Sequence, residues 1–156
     1  MSDGEQAPGP ARRLFEMTQK PLRRENFNVT MGDVDAAGIL YFGAPLVWLD
    51  RLMGAWMREI GLPVSALLAR GEGAPAVHTE TDYRSPIGLD EPVEALLFHA
   101  GHGRSSYTLA AEFRHAVSGL LAVETRFTAV WVSRDASGDS VEMRSVELPE
   151  QLLSAF

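Results

Sequence analysis

The residues of this 156-residue chain best suited to do chemistry lie in one run, Met31-Gly32-Asp33-Val34-Asp35-Ala36-Ala37-Gly38-Ile39-Leu40-Tyr41-Phe42-Gly43-Ala44-Pro45. Two carboxylates stand in a loop of small residues just ahead of an expected helix. The first turn of a helix has backbone N–H groups without intrahelical partners and a partial positive charge. A carboxylate beside such a site is an arrangement catalysis can use, because the N–H groups can hold a developing oxyanion. Asp35 is the better placed of the two acids. Ala36-Ala37-Gly38 let another group approach it, and the N–H groups of Phe42 or Gly43 fall at the helix start. The same spacing also suits an Asp that merely caps a loop.

Three other groupings bear on chemistry. Gly103-Arg104-Ser105-Ser106 sets a guanidinium and two hydroxyls at a strand start, which suits a phosphate and equally an ordinary basic turn. Asp50 follows Trp48 on the expected helix, where an acid is also explained by pairing with Arg51 or Arg58. His78, Glu80 and Asp82 share one strand face, as metal ligands or as the polar side of an exposed strand. The four histidines, His78, His99, His102 and His115, lack zinc-enzyme spacing. No Gly-x-Ser-x-Gly elbow, phosphate loop or dinucleotide glycine motif occurs.

The elements that must position these residues follow from periodicity. Phe27, Val29 and Met31 alternate with polar residues and predict a strand over Glu25–Met31. Pro45 suits a helix's first turn. Leu46, Leu49, Leu52, Met53, Trp56 and Ile60 then recur every three or four residues, so a helix with that apolar face is expected until Gly61 and Pro63. A short helix over Val64–Ala69 follows. The period then becomes two: strands are predicted over Val77–Arg84, Val93–Ala100, Ser106–Ala116 and Leu120–Ser133, with a last extended segment over Val141–Leu148 and a terminal helical turn after Pro149. One long helix and a run of antiparallel strands is an α+β arrangement.

Composition sets the outer bounds. The length predicts a single domain over 21–156, and the Gly- and Pro-rich residues 1–20 read as a disordered tail in which Ala11–Gln19 can form a helical turn or two. The chain has no cysteine, so disulfides, thiolate zinc sites and cysteine nucleophiles are excluded. A net charge of −7 disfavours nucleic acid and anionic membranes as general partners. No apolar run has the length of a membrane-spanning helix, and Met1-Ser2-Asp3-Gly4-Glu5 does not open a secretory signal, so a cytoplasmic location is expected.

The run Asp33-Val34-Asp35-Ala36-Ala37-Gly38-Ile39-Leu40-Tyr41-Phe42, with Trp48-Leu49-Asp50 on the following helix, resembles the hotdog-fold acyl-CoA thioesterases. The likeness is to the 4-hydroxybenzoyl-CoA thioesterase branch, with its Asp-x-Asp-x-x-Gly-[Ile/Val]-[Val/Leu]-[Tyr/Phe] signature, and runs from about residue 24 to 153. It implies a curled antiparallel sheet around one central helix, and homodimers or tetramers with active sites at the subunit interface. It implies hydrolysis of a thioester, with Asp35 as nucleophile or general base, Asp33 in support and the Phe42 or Gly43 N–H as oxyanion donor. Gly38, Tyr41 and Asp50 would meet the acyl group, Asp50 favouring a hydroxylated aromatic one. Arg104, Ser105 and Ser106 would hold the phosphates of coenzyme A. No metal or other cofactor is implied, coenzyme A being part of the substrate. The chain departs from many relatives at Ala44-Pro45, where they carry Asn-Tyr, and it has fewer basic residues beside Arg104. The lost amide keeps a second reading open, a module that binds acyl-CoA or an acyl carrier without hydrolysis. A dehydratase, which pairs Asp with His, fits less well because no His stands near the Asp loop in sequence.

Overall fold

The computed structural model describes residues 19–135 and 142–156. The tail assigned to residues 1–20 therefore lies outside the described residues except for Gln19 and Lys20. Among the described residues there are eight strands: β1 (Arg23–Asn28), β2 (Glu72–Gly73), β3 (Ala76–Tyr83), β4 (Pro92–His102), β5 (Ser106–His115), β6 (Leu121–Val130), β7 (Val132–Asp135) and β8 (Glu142–Ser145). The main sheet has five antiparallel strands in the order β1-β4-β5-β6-β3, and a second sheet runs β2-β7-β8. Among the described residues the helices are α1 (Ala44–Glu59), α2 (Val64–Ala69) and α3 (Glu150–Leu153). The main sheet covers α1, which gives the expected hotdog arrangement.

The first strand ends earlier than its alternation predicts. Met31–Asp33 forms a 3-10 turn, closed by a capping box in which Thr30 and Asp33 satisfy each other's polar groups. Met31 is consequently exposed rather than on the inward side of a strand. The expected strand over Leu120–Ser133 is two strands. At Trp131 the backbone N–H bonds Ser105 O at 2.7 Å and the indole N–H bonds Glu72 Oε2 at 3.1 Å, which takes the chain out of the main sheet and into the second one.

The long helix begins one residue before its predicted start, and its buried face is rotated from the expected one. Ala44, Pro45, Trp48, Leu49, Leu52, Ala55, Trp56 and Met57 are buried, whereas Leu46 is exposed. Trp48 decides the rotation. Its ring meets Phe27 and Phe113 edge-on at 4.9 and 5.1 Å, so the largest apolar side chain of the first two turns points into the sheet. Burying each large side chain of this face stabilises the fold by about 1.5–3 kcal/mol. Gly61, at φ +77°, ends the helix, and the Leu62 N–H returns to Met57 O at 2.8 Å. The short α2 has its predicted bounds. At the far side of the main sheet β3 pairs with β6, and among the described residues its other edge is open.

Candidate active site

The two acids of the loop are placed in opposite environments by adjacent turns. Asp33, at the end of the 3-10 turn, is 6% exposed. Its Oδ1 accepts the Trp48 indole N–H at 2.9 Å, and its Oδ2 accepts the Thr30 backbone N–H at 2.8 Å and the Thr30 hydroxyl at 2.6 Å. Burial acts to raise this carboxyl. The Thr30 hydroxyl and N–H, the Trp48 indole and the nearby Arg51 outweigh it and hold the group below its ordinary value of 3.8. Asp33 is thus a saturated anion that ties the loop to α1.

Asp35 stands two residues on, in a small hairpin. Val34 and Leu40 form a bridge, Asp35 N–H donates to Ile39 O at 2.9 Å and Gly38 N–H to Asp35 O at 3.0 Å. Gly38 turns the chain at φ +76°, a conformation glycine adopts without penalty, with open space on its Cβ side. Leu40 N–H donates to Ile87 O at 2.8 Å and Ile39 bridges Gly88, so the hairpin is docked on the connection between β3 and β4. The Asp35 side chain is exposed. Its Oδ1 accepts the Ala37 N–H at 2.8 Å, and its Oδ2 makes no hydrogen bond among the described residues. The capping expectation and an uncommitted carboxylate oxygen therefore coexist in one side chain.

Tyr41, Phe42 and Gly43 join the hairpin to the helix. Ala44 N–H donates to Tyr41 O at 2.9 Å, while the N–H groups of Phe42 and Gly43 donate to nothing among the described residues. No acidic side chain lies in the first turn of α1 and none caps it. The positive end of a helix of this length is thus left for something else to meet. Tyr41 lies over this turn. A Cβ at position 43 would fall 2.7 Å from Tyr41 Cε1, so glycine there permits the close approach. The Phe42 ring is exposed at 72%, and its carbonyl accepts the Tyr83 hydroxyl. Tyr83 was not among the expected site residues. Its place at the end of the predicted strand Val77–Arg84, as the one aromatic residue of that strand, is the signal that could have found it.

The remaining expected residues are spread apart. Asp50 is exposed on α1, one turn beyond the exposed Leu46 and Val47, and forms no ion pair with Arg51 or Arg58. Arg104, Ser105 and Ser106 form the turn between β4 and β5. Arg104 is exposed beside Glu147 at 3.5 Å, and Gly103 N–H donates to Ser106 O at 2.8 Å. The Asp35 hairpin is docked just ahead of the first residue of β4, and the Arg104 turn follows its last. An 11-residue strand, about 33 Å at ~3.3 Å per residue, therefore separates the two groups within one chain. On β3, Glu80 is paired with Arg126 at 3.7 Å.

The chain is similar to known proteins in sequence and in fold. The sequence model of the thioesterase-like superfamily matches residues 29–156. A 1,4-dihydroxy-2-naphthoyl-CoA hydrolase of Prochlorococcus marinus is 28% identical over 134 residues, 78% of this chain and 79% of the relative. Among solved structures, a 1,4-dihydroxy-2-naphthoyl-CoA thioesterase from Synechocystis superposes with a TM-score of 0.74 at 19% identity, over 85% of this chain and 93% of that one. The 4-hydroxybenzoyl-CoA thioesterase from Pseudomonas sp. strain CBS-3 gives 0.72 at 19% identity, over 86% and 98%.

Proposed function

The chain belongs to the thioesterase-like superfamily, and on that premise we propose that it is an acyl-CoA thioesterase releasing a carboxylic acid and free coenzyme A. One observation carries the reading: an exposed carboxylate with an uncommitted oxygen, in a hairpin that leads straight into a helix start with two uncommitted N–H groups. The thioester carbonyl oxygen sits against the Phe42 and Gly43 N–H groups. Asp35 either attacks the carbonyl carbon, giving an anhydride that water then opens, or takes a proton from the attacking water. Negative charge forming on the oxygen is met by a fixed dipole rather than by water, an effect worth about 2.7–4 kcal/mol per donor in other enzymes. Gly38 leaves room for the acyl group and Tyr41 flanks it. Names of the relatives, together with Asp50 on the exposed face of α1, favour a hydroxylated aromatic acyl group.

The site is completed by a second copy of the chain. β3 offers an open edge without proline, and Val77 and Tyr83 on it are exposed, as are Phe42, Leu46 and Val47 at the start of α1. A two-fold axis pairing β3 with β3 of the partner reverses the second sheet. The partner's Ala76 end, which leads to its β4–β5 turn, is then beside the Tyr83 end and the Asp35 hairpin. That geometry is what would bring Arg104, Ser105 and Ser106 to the phosphates of a coenzyme A whose thioester lies at Asp35.

A thiol-release assay over aromatic, short and long acyl-CoAs tests the reading. Asp35→Asn is expected to fold and to bind acyl-CoA but to lose at least ~10²-fold in turnover. Wild-type turnover by that variant would remove Asp35 from the mechanism. Binding of acyl-CoA by the wild type with no thiol released would favour the non-hydrolytic module instead.

A further inference from the structure

A second set of reactive groups lies at the two ends of the connection that carries the Asp35 hairpin and at the end of β5. Ser85 follows β3, Glu91 precedes β4, and His115 ends β5. The Ser85 Oγ is 2.7 Å from His115 Nε2, and His115 Nδ1 is bonded to Glu91 Oε1. The other Glu91 oxygen accepts the Gly88 N–H at 2.9 Å, which fixes the carboxylate. This backbone bond, with His115, holds the Glu91 carboxyl below its ordinary range against burial. An ionised carboxylate only accepts, so Nδ1 carries a proton and donates it to Glu91. In the neutral ring Nε2 is then the acceptor, and the Ser85 hydroxyl is the donor.

Nucleophile, base and orienting acid thus stand in hydrogen-bond contact, in the chain order Ser, Glu, His. The arrangement is defined by geometry and roles and recurs on unrelated folds. Ser85 also lines an open crevice of about 300 Å³ with Ile39, Leu40, Tyr83, Arg84 and Pro86. Its walls are mainly apolar, and its size suits a small ligand.

We propose that Ser85 is a second nucleophile of this chain, activated by His115 and oriented through Glu91, which takes the acyl group of small aryl esters. In the step, Ser85 Oγ bonds to the ester carbonyl carbon and its proton passes to His115 Nε2. The bond from that carbon to the aryloxy oxygen breaks, and the leaving phenoxide takes the proton from His115. Water then attacks the Ser85 ester, gives a proton to His115, and the proton returns to Ser85 Oγ as the acid leaves. The sum is ester plus water to acid plus phenol. Asp35 takes no part.

The test is covalent labelling of the full chain with an alkyl fluorophosphonate, which reacts with activated serines and leaves ordinary ones untouched. One adduct is expected by intact mass, mapped to Ser85 by peptide sequencing, with matching loss of p-nitrophenyl acetate hydrolysis. Ser85→Ala is expected to abolish the adduct, and Asp35→Asn to keep it. His115→Gln and Glu91→Gln are expected to slow labelling at least ~10²-fold, since an amide in place of the orienting acid favours the wrong tautomer. No adduct at Ser85, or equal labelling of several serines, would overturn the proposal and leave the three side chains as a tie between β3 and β5. Wild-type labelling rates in a folded His115→Gln would do the same. If that variant does not fold, the wild type against Ser85→Ala, both checked by thermal melting, still decides. Acyl-CoA turnover by Ser85→Ala separates this centre from the Asp35 reading, since loss of one leaves the other standing.

Discussion

Asp33 and Asp35 are separated by one residue and belong to two different regions of the molecule. Asp33 is part of the core: three donors from Thr30 and Trp48 occupy both its oxygens, and it holds the loop onto α1. Asp35 belongs to the surface hairpin, with one oxygen engaged and one open. The pair shows how one segment divides anchoring from chemistry. The inner acid fixes where the hairpin leaves the core, so that the outer acid can stay uncommitted without the loop wandering.

The contrast can be broken at its strongest point first. Asp33→Ala removes a buried acceptor and strands the Trp48 indole N–H and the Thr30 donors. We expect a loss of about 3 kcal/mol in urea unfolding, from groups that cost ~1–3 kcal/mol each when left unpaired. Asp35→Ala should change stability by no more than ~0.5 kcal/mol, as surface substitutions do. Equal losses from the two would erase the distinction.

A pH titration sharpens it. The Asp33 carboxyl is lowered on folding, so the unfolded chain binds its proton more readily. Its contribution to stability is full above the ordinary value of 3.8 and disappears as pH falls through the lower folded value. The unfolding free energy of the wild type should fall through that acid window. Asp33→Asn should flatten this part of the curve and Asp35→Asn should not, measured by urea unfolding at successive pH values.

The smallest effect is expected at the joint between the two regions. Gly43→Ala puts a methyl group 2.7 Å from the Tyr41 ring. Tyr41 is partly exposed and can swing away, so a loss of no more than ~1 kcal/mol is expected. Its displacement from the mouth of the site should raise KM for acyl-CoA several-fold and leave kcat nearly unchanged. An unchanged KM would remove Tyr41 from the acyl site.

Much of the fold was legible because its signals are local. The two-residue period marked the strands, and Gly61 with Pro63 marked the end of α1. Strand alternation was less informative where turn chemistry intervened, as at Met31, and where Trp131 carried the chain between sheets. The helix was recognised and most of its face with it, Leu49, Leu52 and Trp56 being buried, but Leu46 and Trp48 both suit an apolar stripe and the sequence favoured Leu46. Contact with Phe27 and Phe113, residues distant in sequence, chose Trp48.

For the site, residue types and order along the chain determined the hairpin of small residues, the helix start after it, and which acid stands nearer that start. These are properties of adjacent residues and of backbone preference. Tertiary structure alone decided that Asp33 is spent on Thr30 and Trp48, that Tyr83 reaches the Phe42 carbonyl, and that the Arg104 turn lies a full strand away from Asp35. It alone joined Ser85, Glu91 and His115. Sequence periodicity records which side of an element a residue occupies. Hydrogen bonds between side chains depend on which elements pair, and that follows from the registers of β3, β5 and β6 and from the packing of α1 on the sheet.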